Sequence, residues 1–183
     1  LRADVPVGAY LSGGLDSSIL TALIAKNFNN KLKTFSLSFE EHTFDEAEYQ
    51  NEMVRYINTD HSDIRVSNQH IRDNFSQVVW QCEKPLLRTG PVPLFSLSKL
   101  VRDSNFKVVL TGEGADEIFG GYNIYKEAKL RGFWARQPES KWRPLLVERL
   151  YPYVFQDPKR ARMFLQQFFA VRAEDLHDPF FYY

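Results

Sequence analysis

A chain of 183 residues with 44% hydrophobic and 25% charged side chains has the composition of a globular protein, and its length fits one domain or one domain with an extension. No apolar run reaches the roughly 18 residues that a membrane span needs, and no secretory leader precedes the first predicted strand, so we expect a cytoplasmic protein without a membrane partner. The single cysteine, Cys82, excludes an internal disulfide and a multi-cysteine metal site, and we expect it to be buried.

Charge is unevenly distributed along the chain, although the net charge is zero. Residues 122–172 contain far more Lys and Arg than Asp and Glu, with aromatic side chains among them. A basic and aromatic segment is compatible with a nucleic-acid surface, but a solvated amphipathic helix accounts for the same residues. We therefore expect no nucleic-acid partner.

Short β-type segments and amphipathic helical segments alternate over residues 1–121. Strands are predicted at 5–12, 32–39, 61–67 and 106–112, which are rich in β-branched and aromatic residues. Helices are predicted at 17–28, 45–58, 68–82 and 92–104, where apolar residues recur with helical spacing. The alternation predicts an α/β fold, a parallel twisted sheet with helices on both faces, whose ligands bind beyond the carboxyl ends of the strands.

The pattern changes at Tyr122, where strand signals stop and helical segments broken by prolines follow. We predict a core domain over 1–121 and a helical extension over 122–183. Because the chain opens on Leu1 and ends on an apolar run, we expect it to be a piece of a longer protein. Apolar surface exposed on the extension would favour a homodimer.

The stretch LSGGLDSS at residues 11–18, called the first loop, joins the first predicted strand to the first predicted helix. Backbone N–H groups and the dipole at a helix N-terminus attract anions, and adjacent glycines let the main chain approach a ligand closely. Ser12, Ser17 and Ser18 add hydroxyl donors. The stretch predicts a phosphate or pyrophosphate site; the simpler alternative is a tight turn in which Asp16 caps the helix.

An acidic side chain inside a phosphate loop needs a counter-charge, because Asp16 would otherwise repel the ligand. Mg²⁺ supplies this charge by bridging a carboxylate oxygen and phosphate oxygens. We therefore expect Asp16 to be a metal ligand. Two common nucleotide motifs are excluded, because no lysine follows the glycines as GxxxxGK requires, and the adjacent glycines do not fit GxGxxG.

A second Gly-rich stretch, LTGEGADEIFGGY at residues 110–122, follows the fourth predicted strand and is called the second loop. It should emerge at the same edge of the sheet as the first loop. Its carboxylates, Glu113, Asp116 and Glu117, are crowded, which is unfavourable unless a cation or a substrate amine binds there. A helix boundary with a solvated acidic face is the alternative, but two such loops at one edge favour a site.

The two loops together carry a resemblance to a known family. SGGLDSS is similar to the pyrophosphate loop of the PP-loop ATP pyrophosphatase superfamily, whose members cleave ATP between its α- and β-phosphates. Together with TGEGADEIFGGY, it resembles the synthetase domain of glutamine-dependent asparagine synthetases. FSLSFEE, FDEAEY and CEKPLLRTGPVPLFSLSKLVR resemble the segments between the two loops in that family, so the resemblance covers residues 1 to about 125.

The resemblance implies roles for the matching residues. The pyrophosphate of ATP would be held by Ser12, Gly13, Gly14, Asp16, Ser17 and Ser18. The nucleotide would also be contacted by Leu11, Leu37 and Gly112. The catalytic residues would be Asp16 and Asp116, which would bind Mg²⁺, and Glu113, which would assist the ammonia step. Glu83 would lie near the acceptor substrate, and the guanidinium of Arg88 could grip its carboxylate.

The implied reaction is ATP-dependent synthesis of asparagine from aspartate and ammonia, with AMP and pyrophosphate as products. Ammonia would come from a glutaminase domain of the full-length chain, which residues 1–183 do not include. Three alternatives stay open: a related PP-loop amidotransferase or β-lactam-forming synthetase with another carboxylate acceptor, a nucleotide-binding module without catalysis, and nucleic-acid binding by the basic half.

Overall fold

The computed structural model describes residues 3–27, 31–41, 45–150 and 158–170, except for the side chains of 158–161. The chain forms two compact units, Leu1–Glu113 and Gly114–Tyr183. The division of a core over 1–121 from an extension over 122–183 stays a prediction about domains.

The first unit contains the strands and helices in the alternating order that the sequence predicts. Its strands are β1 (Val7–Tyr10), β2 (Lys33–Phe39), β3 (Asp60–Val66) and β4 (Val108–Leu110). Its helices are α1 (Leu15–Asn27), α2 (Ala47–Ile57), α3 (Asn68–Cys82) and α4 (Pro91–Asp103).

All four strands pair in parallel, in the order β3-β2-β1-β4. Tyr10 pairs with Phe35 on one side of β1, and Ala9 pairs with Leu110 of β4 on the other. The chain therefore runs outward from β1 to β2 and β3, and then returns to the opposite side of β1. The strand order reverses between β1 and β4, and ligands of open α/β sheets bind at such a switch point.

Helices cover both faces of this sheet, which confirms the predicted α/β fold. Because side chains alternate along a strand, Ala9 and Tyr10 point to opposite faces. Ala9 packs in one cluster with Ile24 of α1, and Tyr10 packs against the other, which contains Phe35 and residues of α4. Both clusters are buried, so each face is stabilised by apolar contacts.

Local sequence accounts for where several helices begin and end. The hydroxyl of Ser67 accepts a hydrogen bond from the N–H of His70 (3.0 Å) and caps α3. Pro91 opens α4, where its missing N–H costs nothing, and Asn58 ends α2 in the left-handed conformation (φ 55°). Within the described residues, no helix combines the length and the apolar character that a membrane crossing requires.

The described part of the second unit is helical, as predicted. It contains α5 (Ala115–Phe119), α6 (Asn123–Ala135), a 3₁₀ helix (Arg143–Arg149) and α7 (Pro158–Phe169). One buried apolar cluster of this unit contains Val147, Leu150, Leu165 and Phe169. On α6, Arg131 and Glu127 form a buried ion pair (Nη2 to Oε1, 2.6 Å), which satisfies both charges within the unit.

Cys82 is exposed, so the expectation that its side chain is buried was wrong. It is the last residue of α3, directly before Glu83, which adopts a left-handed conformation (φ 53°). Solvent reaches the side chain there because the helix ends and the chain turns away. The inward face of α3 is buried one turn earlier, at Val78.

Candidate active site

The first loop begins where β1 leaves the sheet. Leu11 is still part of the sheet, since its N–H donates to the carbonyl of Phe35 (2.9 Å) and its own carbonyl accepts from the hydroxyl of Ser36. Its side chain is buried. Ser12 is the first residue after the last sheet hydrogen bond of β1, and its side chain is exposed at the carboxyl edge.

A pair of serine hydroxyls closes the first loop over the start of α1. The Oγ atoms of Ser12 and Ser17 lie 2.9 Å apart, and the N–H of Ser12 donates to Ser17 Oγ (3.1 Å). The N–H of Gly14 donates to Ser12 Oγ (3.2 Å), and Ser17 Oγ donates to the Gly14 carbonyl (3.2 Å). These bonds fold the main chain of the loop back onto the first turn of the helix.

Gly13 is required by both its conformation and its neighbours. Its φ is +84°, a left-handed conformation that favours glycine. A Cβ at this position would lie 3.1 Å from the carbonyl oxygen of Glu46 and 3.1 Å from the amide nitrogen of Gln50. The start of α2 therefore packs directly on the first loop.

The first turn of α1 supplies the groups that bind anions in other proteins. The N–H of Ser18 donates to the Gly14 carbonyl (3.1 Å), and the N–H groups before it in the helix precede this first helical bond. Asp16 lies in the first turn and is half-buried, as is Ser18. The helix dipole adds positive potential at this end, so the loop is suited to an anionic ligand.

The start of the second loop touches the first loop at Gly112. A Cβ at Gly112 would lie 2.9 Å from the amide nitrogen of Ser17 and 3.2 Å from Cβ of Asp16. Glu113 follows with an exposed side chain, and its N–H donates to Oγ1 of Thr111 (2.9 Å). The structure thus brings Gly112 against Asp16 and Ser17, with Glu113 next in the chain.

The remainder of the second loop lies in the second unit. The carboxylate of Asp116 lies directly against Gly121, whose N–H donates to the Asp116 carbonyl (3.0 Å). The hydroxyl of Tyr122 donates to Oε1 of Glu117 (2.8 Å). The GGY end of the motif therefore packs back on the two acidic residues.

The residues predicted near the acceptor lie at the end of α3 and in the loop after it. Glu83 lines an open cavity of about 520 Å³ together with Ser76, Val79, Trp80, Lys84 and Pro85. Arg88 is exposed. No hydrogen bond or ion pair in the described ranges joins Glu83 or Arg88 to the first loop.

Leu37 belongs to β2, and its side chain packs against the buried cluster that contains Phe35. Its carbonyl accepts a hydrogen bond from Nε2 of Gln50 (2.7 Å). The same nitrogen donates to the carbonyl of Ser12 (3.2 Å). Sequence reasoning missed Gln50, although a polar residue on the inward-facing stripe of α2, in line with Ala47 and Val54, was the available signal.

A metal ion in the candidate site would be held by one or two protein carboxylates, with its other ligands supplied by phosphate oxygens and water. Among the residues that the structure describes, no three His, Cys, Asp or Glu side chains converge as a metal site. Mg²⁺ in nucleotide sites commonly takes one or two carboxylates and completes its shell with phosphate oxygens and water. The half-buried carboxylate of Asp16, beside a helix start suited to an anionic ligand, fits that donor chemistry.

The sequence model of the asparagine synthase family matches residues 1–181, a span that includes both loops. The chain belongs to the asparagine synthase family. Its parallel sheet, with one loop after β1 and the other after β4, is the arrangement that the resemblance implies for a PP-loop synthetase domain.

Individual relatives agree with this membership. Asparagine synthetase (glutamine-hydrolysing) 1 of Bacillus subtilis is 39% identical over 127 residues, which cover 69% of this chain and 20% of the relative. Asparagine synthetase (glutamine-hydrolysing) 2 of Oryza sativa is 32% identical, covering 70% and 23%. The amidase chyE of Penicillium rubens is 29% identical, covering 78% and 22%. The chain therefore spans about a fifth of the length of these relatives.

Proposed function

We propose that the protein forms an amide from the side-chain carboxylate of aspartate and ammonia at the expense of ATP, giving asparagine, AMP and pyrophosphate. The observation that carries this proposal is the approach of Gly112 to the amide of Ser17, in a member of the asparagine synthase family. It makes the anion-binding first loop and Glu113, the candidate proton acceptor, near neighbours.

Binding of ATP would fall to the first loop and the strand beside it. Main-chain N–H groups at the start of α1 would donate to pyrophosphate oxygens, with hydroxyl groups of the loop as further donors. Leu11 and Gly112 would meet the nucleotide through their main chain, because the Leu11 side chain is buried and Gly112 has none. Leu37 lies on β2, the strand next to β1, where the adenosine part would extend.

Adenylation is needed because a carboxylate expels oxygen too poorly to react with ammonia. Attack by the aspartate side-chain oxygen on the α-phosphorus breaks the bond to pyrophosphate and forms a mixed anhydride with AMP. The N–H groups of the first turn of α1 would stabilise the negative charge on the departing pyrophosphate. Mg²⁺, when bound, would supply additional positive charge; Asp16 of the first unit would hold it, and the resemblance implies the same role for Asp116.

Amide formation follows when the nitrogen of ammonia attacks the acyl carbon and AMP leaves with the bridging oxygen. The nitrogen must lose a proton, and the exposed carboxylate of Glu113 would accept it. Glu83 and Arg88 would hold the acceptor, with the Arg88 guanidinium on a carboxylate. Since relatives are named glutamine-hydrolysing, we propose that a glutaminase domain of the full-length protein supplies the ammonia.

Exchange of labelled pyrophosphate into ATP tests this function, because exchange reports the reversible adenylation step alone. The full-length protein is assayed with Mg²⁺, with and without aspartate. We expect exchange that requires aspartate and falls sharply in the Asp16→Asn variant. ATP binding without exchange for any carboxylic acid would contradict the proposed activity and favour a binding module.

The same assay identifies the acceptor. Other carboxylic acids are tested beside aspartate, because the relative at 29% identity is named an amidase rather than an asparagine synthetase. Exchange supported by another acid and not by aspartate would retain the adenylation chemistry and replace aspartate as the substrate.

A further inference from the structure

Gln50 is a buried polar side chain at the junction of α2, the first loop and the carboxyl end of β2. Only 4% of its surface is exposed. Its Nε2 atom lies 2.7 Å from the carbonyl oxygen of Leu37 and 3.2 Å from that of Ser12. A primary amide has two N–H donors, so both donors of Gln50 are used on main-chain carbonyls.

The Leu37 carbonyl needs this donor because β1 ends before it can supply one. Carbonyls of alternate residues in a strand point to the same neighbour, and that of Phe35 accepts from the N–H of Leu11. Leu37 is the next residue of β2 to face this side, but beyond Leu11 the chain has turned toward α1. The amide of Gln50 takes the place of the missing donor from β1.

The helix that carries Gln50 is itself fixed against the first loop. The N–H of Gln50 donates to the carbonyl of Glu46 (3.1 Å) in the first turn of α2. The same amide nitrogen lies 3.1 Å from the position of a Cβ at Gly13. The main-chain nitrogen of Gln50 therefore lies against Gly13 of the first loop, and its side chain bonds to Ser12 of the first loop and to Leu37 of β2.

We propose that Gln50 is a positioning residue that sets the spacing between the adenosine-binding and pyrophosphate-binding parts of the main chain. The inference rests on the proposed function, in which Ser12 belongs to the pyrophosphate site and Leu37 to the adenosine contact. The side chain of Gln50 is hydrogen-bonded to the main-chain carbonyls of both residues. ATP spans the two parts, whereas AMP occupies the adenosine part without the pyrophosphate, so loss of the amide weakens ATP binding selectively.

Two matched variants of the full-length protein test this role. Gln50→Met keeps the length of the side chain and removes both donors, and Gln69→Met makes the same change at an exposed position of α3. Calorimetry measures the dissociation constants of ATP and AMP. We expect Gln50→Met to weaken ATP binding about tenfold or more and AMP binding less than about threefold, and Gln69→Met to change neither.

The ratio of the two affinities separates positioning from general support of the fold. Equal weakening of ATP and AMP in Gln50→Met would overturn the inference, because a loosened fold affects both ligands. Equal ATP affinity of the wild-type protein and the Gln50→Met variant would overturn the inference and leave the proposed function intact. Wild-type protein that fails to bind ATP would overturn both.

A second variant covers the case in which Gln50→Met does not fold. Gln50→Asn keeps the amide but is one methylene shorter, so it cannot reach the carbonyls of Leu37 and Ser12 together. We expect the same selective loss of ATP affinity, with a smaller fall in the thermal unfolding temperature than in Gln50→Met, because one of the two carbonyls keeps its donor. An unchanged ratio of ATP to AMP affinity in Gln50→Asn would overturn the inference.

Discussion

The amide nitrogen of Ser17 lies 2.9 Å from the point where a side chain at Gly112 would begin, so the two loops meet without room for a methyl group. The obstructing atoms are main-chain atoms of Asp16 and Ser17 and the Cβ of Asp16, which cannot rotate away. We therefore expect Gly112→Ala to displace the first turn of α1 and to lower aspartate-dependent pyrophosphate exchange by roughly 100-fold.

The control for this substitution is Gly90→Ala. A Cβ at Gly90 would meet nothing within 4 Å, and its φ of −50° suits alanine. We expect this variant to exchange pyrophosphate at the wild-type rate. Similar exchange rates for the two alanine variants would contradict the tight approach of Gly112 to Ser17.

Asp16→Asn distinguishes a metal ligand from a helix cap. The amide keeps the shape of the carboxylate but loses its charge, so we expect exchange to fall roughly 100-fold while thermal stability is retained. Asp103→Asn, at the exposed last residue of α4, is the charge-matched control. Because asparagine caps a helix as well as aspartate does, normal exchange with an unchanged unfolding temperature would instead be consistent with a cap and would contradict the metal-ligand role.

Glu113→Gln separates the two chemical steps. The glutamine cannot accept a proton from ammonia, so we expect amide formation to fall about 100-fold or more while pyrophosphate exchange continues. Single-turnover measurements of β-aspartyl-AMP and of asparagine follow the two steps separately. Glu52→Gln, on the exposed side of α2, is the control. Equal loss of both steps would refute the assignment of Glu113 to the ammonia step.

We expect His61 to make the stability of the fold sensitive to acid. Its Nδ1 lies 2.9 Å from Oγ1 of Thr34. Burial is the main cause that lowers the pKa of His61 below its ordinary value of 6.5; Asp63 raises it, Lys33 lowers it and Asp60 raises it. The unfolded chain therefore binds this proton more readily than the folded chain does.

The sign of the pH dependence follows from that difference. The contribution of His61 to the free energy of unfolding is fully present above the ordinary pKa of 6.5 and is lost as the pH falls below it. We expect His61→Gln, which retains a partner for Thr34, to lose less stability than wild type between about pH 7.5 and about pH 5.5. Urea unfolding at the two pH values measures the free energy of unfolding of each protein. Equal losses of stability in wild type and His61→Gln would contradict the prediction.

Periodicity predicted the elements of the first unit because each of them buries one face. The helix predicted over 68–82 coincides with α3, whereas the strand predicted over 5–12 is shortened to Val7–Tyr10. The difference arises because residues after Leu11 turn toward α1 to close the first loop. The strand order could not be predicted from periodicity, since it depends on pairing between distant segments such as β1 and β4.

The sequence named the residues of the first loop, but not the contacts that hold them. The helical pattern marks Gln50 as an inward-facing polar residue, but it does not give its two partners, and no motif gives the contact between Ser12 and Ser17, because these hydrogen bonds depend on how the chain turns after β1. Cys82 was misjudged for a related reason. A residue type that is usually buried becomes exposed when it stands at the last residue of a helix.

Each hydroxyl of the serine pair has one hydrogen to donate, and both are used within the first loop. Ser17 Oγ has one hydrogen and donates it to the Gly14 carbonyl. In the 2.9 Å contact between the two hydroxyls, Ser12 Oγ is therefore the donor and Ser17 Oγ the acceptor. The Ser12 hydroxyl can then donate to an anion only by breaking its bond to Ser17. In the proposed ATP site, the Ser12 hydroxyl therefore donates either to Ser17 or to a phosphate oxygen, so a ligand that accepts from Ser12 exchanges one hydrogen bond for another.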